Sequence, residues 1–343
     1  MNDILKGIVV SFAVSGVAAA SDYDALSAVT EAAILDASTR NSLRAENSPV
    51  TANVHGFIQS RYTYNSGSGV GANYGFSVPR ARLAVEGLIY DFDYRVSGQW
   101  GDGSSFQLLD AYGSADFESV NFKFGQFKTP FMKEVLVYQA DILGIERSIV
   151  AGTFGQGRSQ GVQVSHDFGP LTVSGAYSDG FDTANGAGVQ NGYAATGRLD
   201  WDVVDWLNLG GAFSYNDQAT TYWTWTADVG LKFGGLVLDG AYVSSEYDTG
   251  NNWGVTGKLG YHITDEFQPY VEYDYGRLVG STDDLSVVTA GFNYFFNKNV
   301  KLSADFGYAL NGINSGWDTG ETGWNTTSDS GEYLVRAQIQ LQF

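Results

Sequence analysis

Apolar and polar residues alternate with a period of two from Ala52 to Phe343, as in strands with one greasy face and one wet face. The last run is the clearest. Tyr333, Val335, Ala337, Ile339, Leu341 and Phe343 share one face, while Glu332, Arg336, Gln338, Gln340 and Gln342 share the other; Leu334 is the exception. Val300, Leu302, Ala304, Phe306, Tyr308 and Leu310 likewise oppose Lys301, Ser303 and Asp305. Trp223, Trp225, Ala227, Val229, Leu231 and Phe233 oppose Thr224, Asp228 and Lys232. Ala81, Leu83, Val85 and Ile89 oppose Arg80, Arg82 and Glu86. Seven short turn signals alternate with eight longer polar connections, which makes sixteen strands. Residues 52 to 343 shared among sixteen strands give about 18 residues per strand and connection, which suits crossings of about 9–11 residues. The pattern predicts an all-β fold over 51–343: a 16-stranded antiparallel transmembrane β-barrel with short periplasmic turns and long extracellular loops.

A soluble sandwich or β-helix also alternates, so the phase of the charges matters more. The wet face of the strand cores carries ten basic and twelve acidic residues, and the apolar face carries none, with His166 near a turn as its one ionisable residue. A Lys or Arg facing lipid costs about 2–4 kcal/mol at the bilayer midplane. Trp100, Trp201, Trp206, Trp223 and Trp253 sit near strand ends on the apolar face, as interfacial girdles do. Ala111, Gly113 and Ala115 point outward and suit a flat subunit contact. Sixteen strands enclose more volume than side chains fill, so the interior is expected to be an aqueous channel.

The N-terminus reads as an export signal over 1–20. Lys6 is followed by an apolar stretch from Gly7 to Val17 and by Ala18-Ala19-Ala20, with cleavage expected before Ser21. Residues 21–50 read as a short periplasmic segment. Leu26, Val29 and Ala33 keep helical spacing with Arg40 and Arg44 solvated, and a linker ends at Asn47-Ser48-Pro49.

Composition narrows the chemistry. Lys and Arg number 19 against 38 Asp and Glu, a net charge of −19, which argues against a nucleic-acid partner. Much of that charge lies in loops, at Asp283, Asp284, Asp318, Glu321 and Asp329. There is no Cys, and His55, His166 and His262 lack metal-ligand spacing. No nucleophile elbow or phosphate-binding Gly-rich loop is present, and Glu272 and Asp274 are alternate lumen positions. No enzyme, metal or cofactor is expected on these residues.

The longest connection, about 128–159, is too apolar for a solvated loop: Phe131, Leu136, Val137, Tyr138, Ile142, Leu143, Ile145 and Phe154 need a surface to pack on. The barrel interior is the nearest, and the loop would constrict it. Its charged residues are Lys128, Lys133, Glu134, Asp141, Glu146, Arg147 and Arg158. The run Leu108-Leu109-Asp110-Ala111-Tyr112, Phe122 to Phe131, Glu134, Ile145-Glu146-Arg147-Ser148 and Gly157 to Val162 resembles the phosphate-selective porin O/P family. The resemblance implies a Gram-negative outer-membrane porin, trimeric, with the loop after the fifth strand folded inward. Terminal Phe343 resembles the signal such barrels present to their assembly machinery. Outer-membrane lipid, lipopolysaccharide and small hydrophilic solutes are the further partners expected. The nearly balanced wall leaves the solute open between general solutes and anions such as phosphate. A structural or adhesive barrel occluded by the same loop is the alternative.

Arg61, Arg80, Arg82, Arg95 and Lys123 share the lumen phase of neighbouring strands. Like charges across strands repel, which calls for partners or a use. Either they face Glu134, Asp141 and Glu146 of the loop across the pore and set its ion preference, or they pair locally with Glu86 and Asp110.

Overall fold

The structure is a computed structural model, described here for residues 42–44, 49–67, 71–101, 104–186, 192–218, 220–326 and 329–343. The export signal and most of 21–50 lie outside the described residues. Sixteen long strands follow in order. They are β1 (Thr51–Asn65), β2 (Asn73–Ile89), β3 (Phe92–Gly101), β4 (Ser104–Phe117), β5 (Val120–Lys128), β6 (Arg158–Phe168), β7 (Leu171–Ser178) and β8 (Tyr193–Val204). Then come β9 (Leu207–Asp217), β10 (Thr221–Phe233), β11 (Leu236–Tyr247), β12 (Gly250–Tyr261), β13 (Phe267–Arg277), β14 (Leu285–Asn297), β15 (Val300–Ala309) and β16 (Tyr333–Gln342). Each pairs antiparallel with the next, and β16 pairs with β1 from Leu334↔Asn65 to Gln342↔Phe57, so the sheet closes. At the seam Gly56 N–H donates to Phe343 O at 2.9 Å and Phe343 N–H to Gly56 O at 3.0 Å.

The polarity is that of a soluble core turned inside out. Outward Phe306, Val271 and Leu199 are about half exposed, whereas inward Lys258, Arg336 and Asp305 are buried. Trp100, Trp201, Trp206 and Trp223 all stand on the exposed face. Leu334 breaks the alternation because it lies inside, fully buried, in one apolar cluster with Trp324.

Three features depart from the sequence pattern. Three of the eight long connections are short: Asp248 and Thr249 alone join β11 to β12, and 102–103 and 218–220 are the other two. Arg44, read as a polar helix position, belongs to a strand at Ser42–Arg44 that pairs with Thr51–Asn53. The cause is an open edge: β16 reaches β1 no further than Phe57, leaving the first residues of β1 unpaired on that side. Finally, the connection from β15 to β16 is not a solvated loop. Its Ile313, Trp317 and Trp324 are buried, and Trp317 packs edge-on against Phe154 at 5.8 Å.

Among the buried lumen charges, Arg198 on β8 binds Asp228 of β10 at 2.8 and 2.9 Å and also Asp200. It also donates to Phe131 O of the inward loop. Arg198→Met leaves Asp228 buried without its counter-charge, and a loss of about 3–5 kcal/mol is expected. The urea midpoint of the folded barrel should fall, and adding Asp228→Asn should restore much of it. An unchanged midpoint in the single variant refutes the assignment.

Candidate functional site

After Lys128 the chain turns into the lumen. Thr129 N–H bonds Gly157 O at 3.1 Å and closes the neck of the inward loop. Beyond it, Phe131 and Met132 are fully buried. Two short helices follow, α1 (Lys133–Leu136) and α2 (Ile149–Phe154). Ser148 starts α2 by accepting Ala151 N–H at 2.9 Å, and Asp274 on β13 accepts Ile149 N–H at 2.9 Å. Gly254 on β12 lets α2 sit against the wall: a Cβ there would stand 2.8 Å from Val150.

An irregular segment inside a barrel carries carbonyls that no ladder satisfies, and burying them bare is costly. The wall supplies donors. Ala140 O accepts Lys301 Nζ and Gln340 Nε2, each at 3.0 Å; Leu143 O accepts Asn293 Nδ2 at 2.8 Å; Glu146 O accepts Lys258 Nζ at 3.0 Å. Lys133 Nζ reaches Asn208 at 2.7 Å. The loop therefore folds inward and is fastened to β9 and to β12 through β16.

The loop acids do not share one role. Glu146 lies between Arg61 Nη2 at 2.8 Å and Arg80, which grips it through Nη1 at 2.9 Å and Nη2 at 2.8 Å. Glu134 faces elsewhere, to Lys258 Nζ at 2.7 Å and the Ser148 hydroxyl at 2.6 Å. Asp141 is exposed and pairs with no arginine among the described residues. Of the three acids read as facing the basic wall, Glu146 alone touches it, and it does so by direct ion pairs rather than across water. Glu321, read as a surface charge, also pairs with Arg80. The sequence signal for that second inward loop was its two tryptophans in an otherwise polar stretch.

The remaining cations gather on the opposite arc. Among the described residues no hydrogen bond of residues 129–157 reaches β3, β4, β6 or β7. Along that arc stand Arg82, Arg95, Lys123 and Arg158, with Lys128 and Arg147 on the loop side. Arg95 pairs locally with Glu86, and Asp110 takes Arg158 Nε at 2.7 Å. Arg82 instead lies over the Phe57 ring and donates to Gln99 at 2.7 Å. Lys123 Nζ lies 4.8 Å from the centre of the Tyr112 ring. Lys128 Nζ binds the carbonyls of Leu136 and Val137 at 3.1 and 3.0 Å, and Arg147 those of Glu134 and Val137 at 3.2 and 3.0 Å. Among the described residues none of Arg82, Lys123, Lys128 and Arg147 has a carboxylate within ion-pair distance. Six cations thus meet two carboxylates.

The sequence model of phosphate-selective porin O and P matches residues 50–222, half of the chain. The chain belongs to this porin family. No curated protein sequence matches it. The porin's fold is similar to that of an anion-selective porin from Comamonas acidovorans, at 14% identity over 86% of this chain and 100% of that one, with a TM-score of 0.67. It is also similar to OmpF of Salmonella typhi, at 13% identity over 88% of this chain and 100% of that one, with a TM-score of 0.67. A third similar structure is the trimer form of OmpT from Vibrio cholerae, at 13% identity over 86% of this chain and 99% of that one, with a TM-score of 0.62. As a porin, the protein is a channel of the bacterial outer membrane for passive diffusion of small solutes.

Burial alone raises a carboxyl, but the guanidiniums of Arg80 and Arg61 outweigh it and hold Glu146 well below the usual carboxylate range. A group depressed in this way stabilises fully above its ordinary value of 4.5, and that stabilisation declines as pH falls towards the depressed value. Open-channel current noise from loop motion is therefore expected to be flat from pH 7 to 4.5 and to rise below it. Glu146→Gln weakens loop docking by about 3 kcal/mol and should be noisy at pH 7 already. A quiet Glu146→Gln channel excludes this anchor.

Proposed function

We propose that the porin prefers small anions, and that they pass between the inward loop and the β3–β7 arc. The supporting observation is the cation group of Arg82, Arg95, Lys123, Lys128, Arg147 and Arg158, four of which have no carboxylate within ion-pair distance among the described residues. Charged groups lining a constriction set selectivity by concentrating the opposite ion and excluding their own sign. Cations bound to neutral carbonyls are held in place without an ion pair. Phosphate fits this chemistry through guanidinium forks, and smaller anions fit it through charge alone.

Arg61 and Arg80 act one step back, as anchors of the loop through Glu146. Lys133, Glu134 and Asp141 face the other side and tune the passage less. The long loops face outward from the cell and the short turns face the periplasm. Three copies assemble through a flat outer face; the trimer form among the similar structures supports this. Phe343, half exposed and in register at the seam, serves as the signal for barrel assembly. Outer-membrane lipid and lipopolysaccharide surround the apolar band.

Planar-bilayer recording in a KCl gradient tests the reading. The reversal potential of the wild type should show anion preference, and added phosphate should reduce the chloride current. Each cation contributes about 1 kcal/mol to an ion at contact in water-like surroundings, so Arg82→Glu with Lys128→Glu should cut the anion-to-cation ratio by roughly tenfold or more. An unchanged ratio places the solute path elsewhere. A folded barrel without conductance favours the occluded, structural alternative.

A further inference from the structure

A cavity of about 590 Å³ opens above α2 at the loop end of the lumen. It lies under β10 to β13, away from the cationic arc. Its chemistry is different too: among the described residues no charged side chain lines it. Tyr222 and Tyr247 face the lumen from adjacent strands and stack with ring centres 4.7 Å apart and planes 27° apart. Phe181 meets Tyr222 edge-on at 5.5 Å. Opposite Tyr247 on β12 is Gly250, so that strand puts no side chain over the ring.

Neutral hydrogen-bonding groups complete the cavity. The Ser245 hydroxyl donates to the Thr224 hydroxyl at 3.0 Å. Asn252 Oδ1 accepts Val279 N–H at 2.7 Å, while its NH2 has no protein partner among the described residues. Ser281 Oγ accepts from Asn314 at 2.7 Å. An aromatic platform ringed by uncharged donors and acceptors discriminates by class. An anion finds no cation here, and an apolar solute would leave hydroxyls and amides unpaired. A polyhydroxylated ring fits both parts. Its C–H face, slightly positive, lies on the negative face of a tyrosine, and its hydroxyls meet the amide and hydroxyl groups. The volume lies in the range of small-molecule sites.

We propose that this cavity is a saccharide subsite sized for one or two sugar rings, placed where a solute entering from the loop end meets it before the constriction. Its occupancy does not depend on the ion preference of the constriction or on conduction through it.

Saturation-transfer NMR on the full chain in detergent tests the subsite, with methyl α-glucoside as probe and the open-chain polyol sorbitol as control. Transfer should concentrate on the C–H protons of one ring face of the glucoside and be weak for sorbitol. Losing one aromatic platform should weaken glucoside binding about tenfold in Tyr247→Ala, while Tyr247→Phe keeps most of it. If Tyr247→Ala fails to fold, Asn252→Ala on the neighbouring strand β12 should show the same weakening. Equal transfer to both polyols, or undiminished glucoside binding in the variants, overturns the proposal. Neither result bears on the chloride currents that test anion preference.

Discussion

In a hydrocarbon environment every backbone N–H and C=O must find a partner within the protein, and the pairing of β16 with β1 meets that demand by leaving no open edge in the membrane. The rest of the molecule follows from it. Closure sends the apolar side chains outward and forces the polar ones into a lumen that is then partly filled. Charges in that lumen are poorly hydrated, so each needs a partner. The same condition explains the short strand at Ser42–Arg44, which covers the one stretch of β1 that β16 does not reach.

The inward loop and the wall solve each other's problem. The loop brings carbonyls without a ladder, and the wall brings side-chain donors that bond them. Lys301, Lys258 and Lys128 donate to loop carbonyls, and Arg147 returns across the loop to do the same. Where carboxylates are the partners, as for Arg61 and Arg80 on Glu146, charge cancels and the contact is a fastening. Where carbonyls are the only partners, as for Lys128 and Arg147, position is fixed without an ion pair.

The strands, their number and their phase were legible because a period of two survives any tertiary arrangement, and a lipid face tolerates no charge. The inward course of the long loop was legible from its apolar content. The pairing of its charges was not. Glu146 meets Arg61 and Arg80 across 85 and 66 residues of chain, and nothing in local spacing distinguishes that partner from Glu134 or Asp141. Phase placed Arg82 and Arg95 side by side but could not show that Glu86 serves Arg95 and not Arg82. The loop between β15 and β16 was misread because Gly, Asn, Ser, Thr and acids make up most of its composition. Leu334, the lone apolar residue on a wet face, already pointed to an apolar partner inside, which is Trp324.

The net charge of −19 and a cationic constriction are compatible because they act over different ranges. Acids at the loop rim are hydrated and screened within a Debye length of about 8 Å at physiological ionic strength. Some are neutralised locally, as Asp284 is by Arg277 at 2.5 Å. Arg147 stands in half-buried surroundings, where screening is weaker and a positive charge acts more strongly per ångström. An ion entering the lumen therefore loses the influence of the acidic rim as it gains that of the cations. On the proposed path, passage is decided by the local balance along the β3–β7 arc and not by the net charge of the chain.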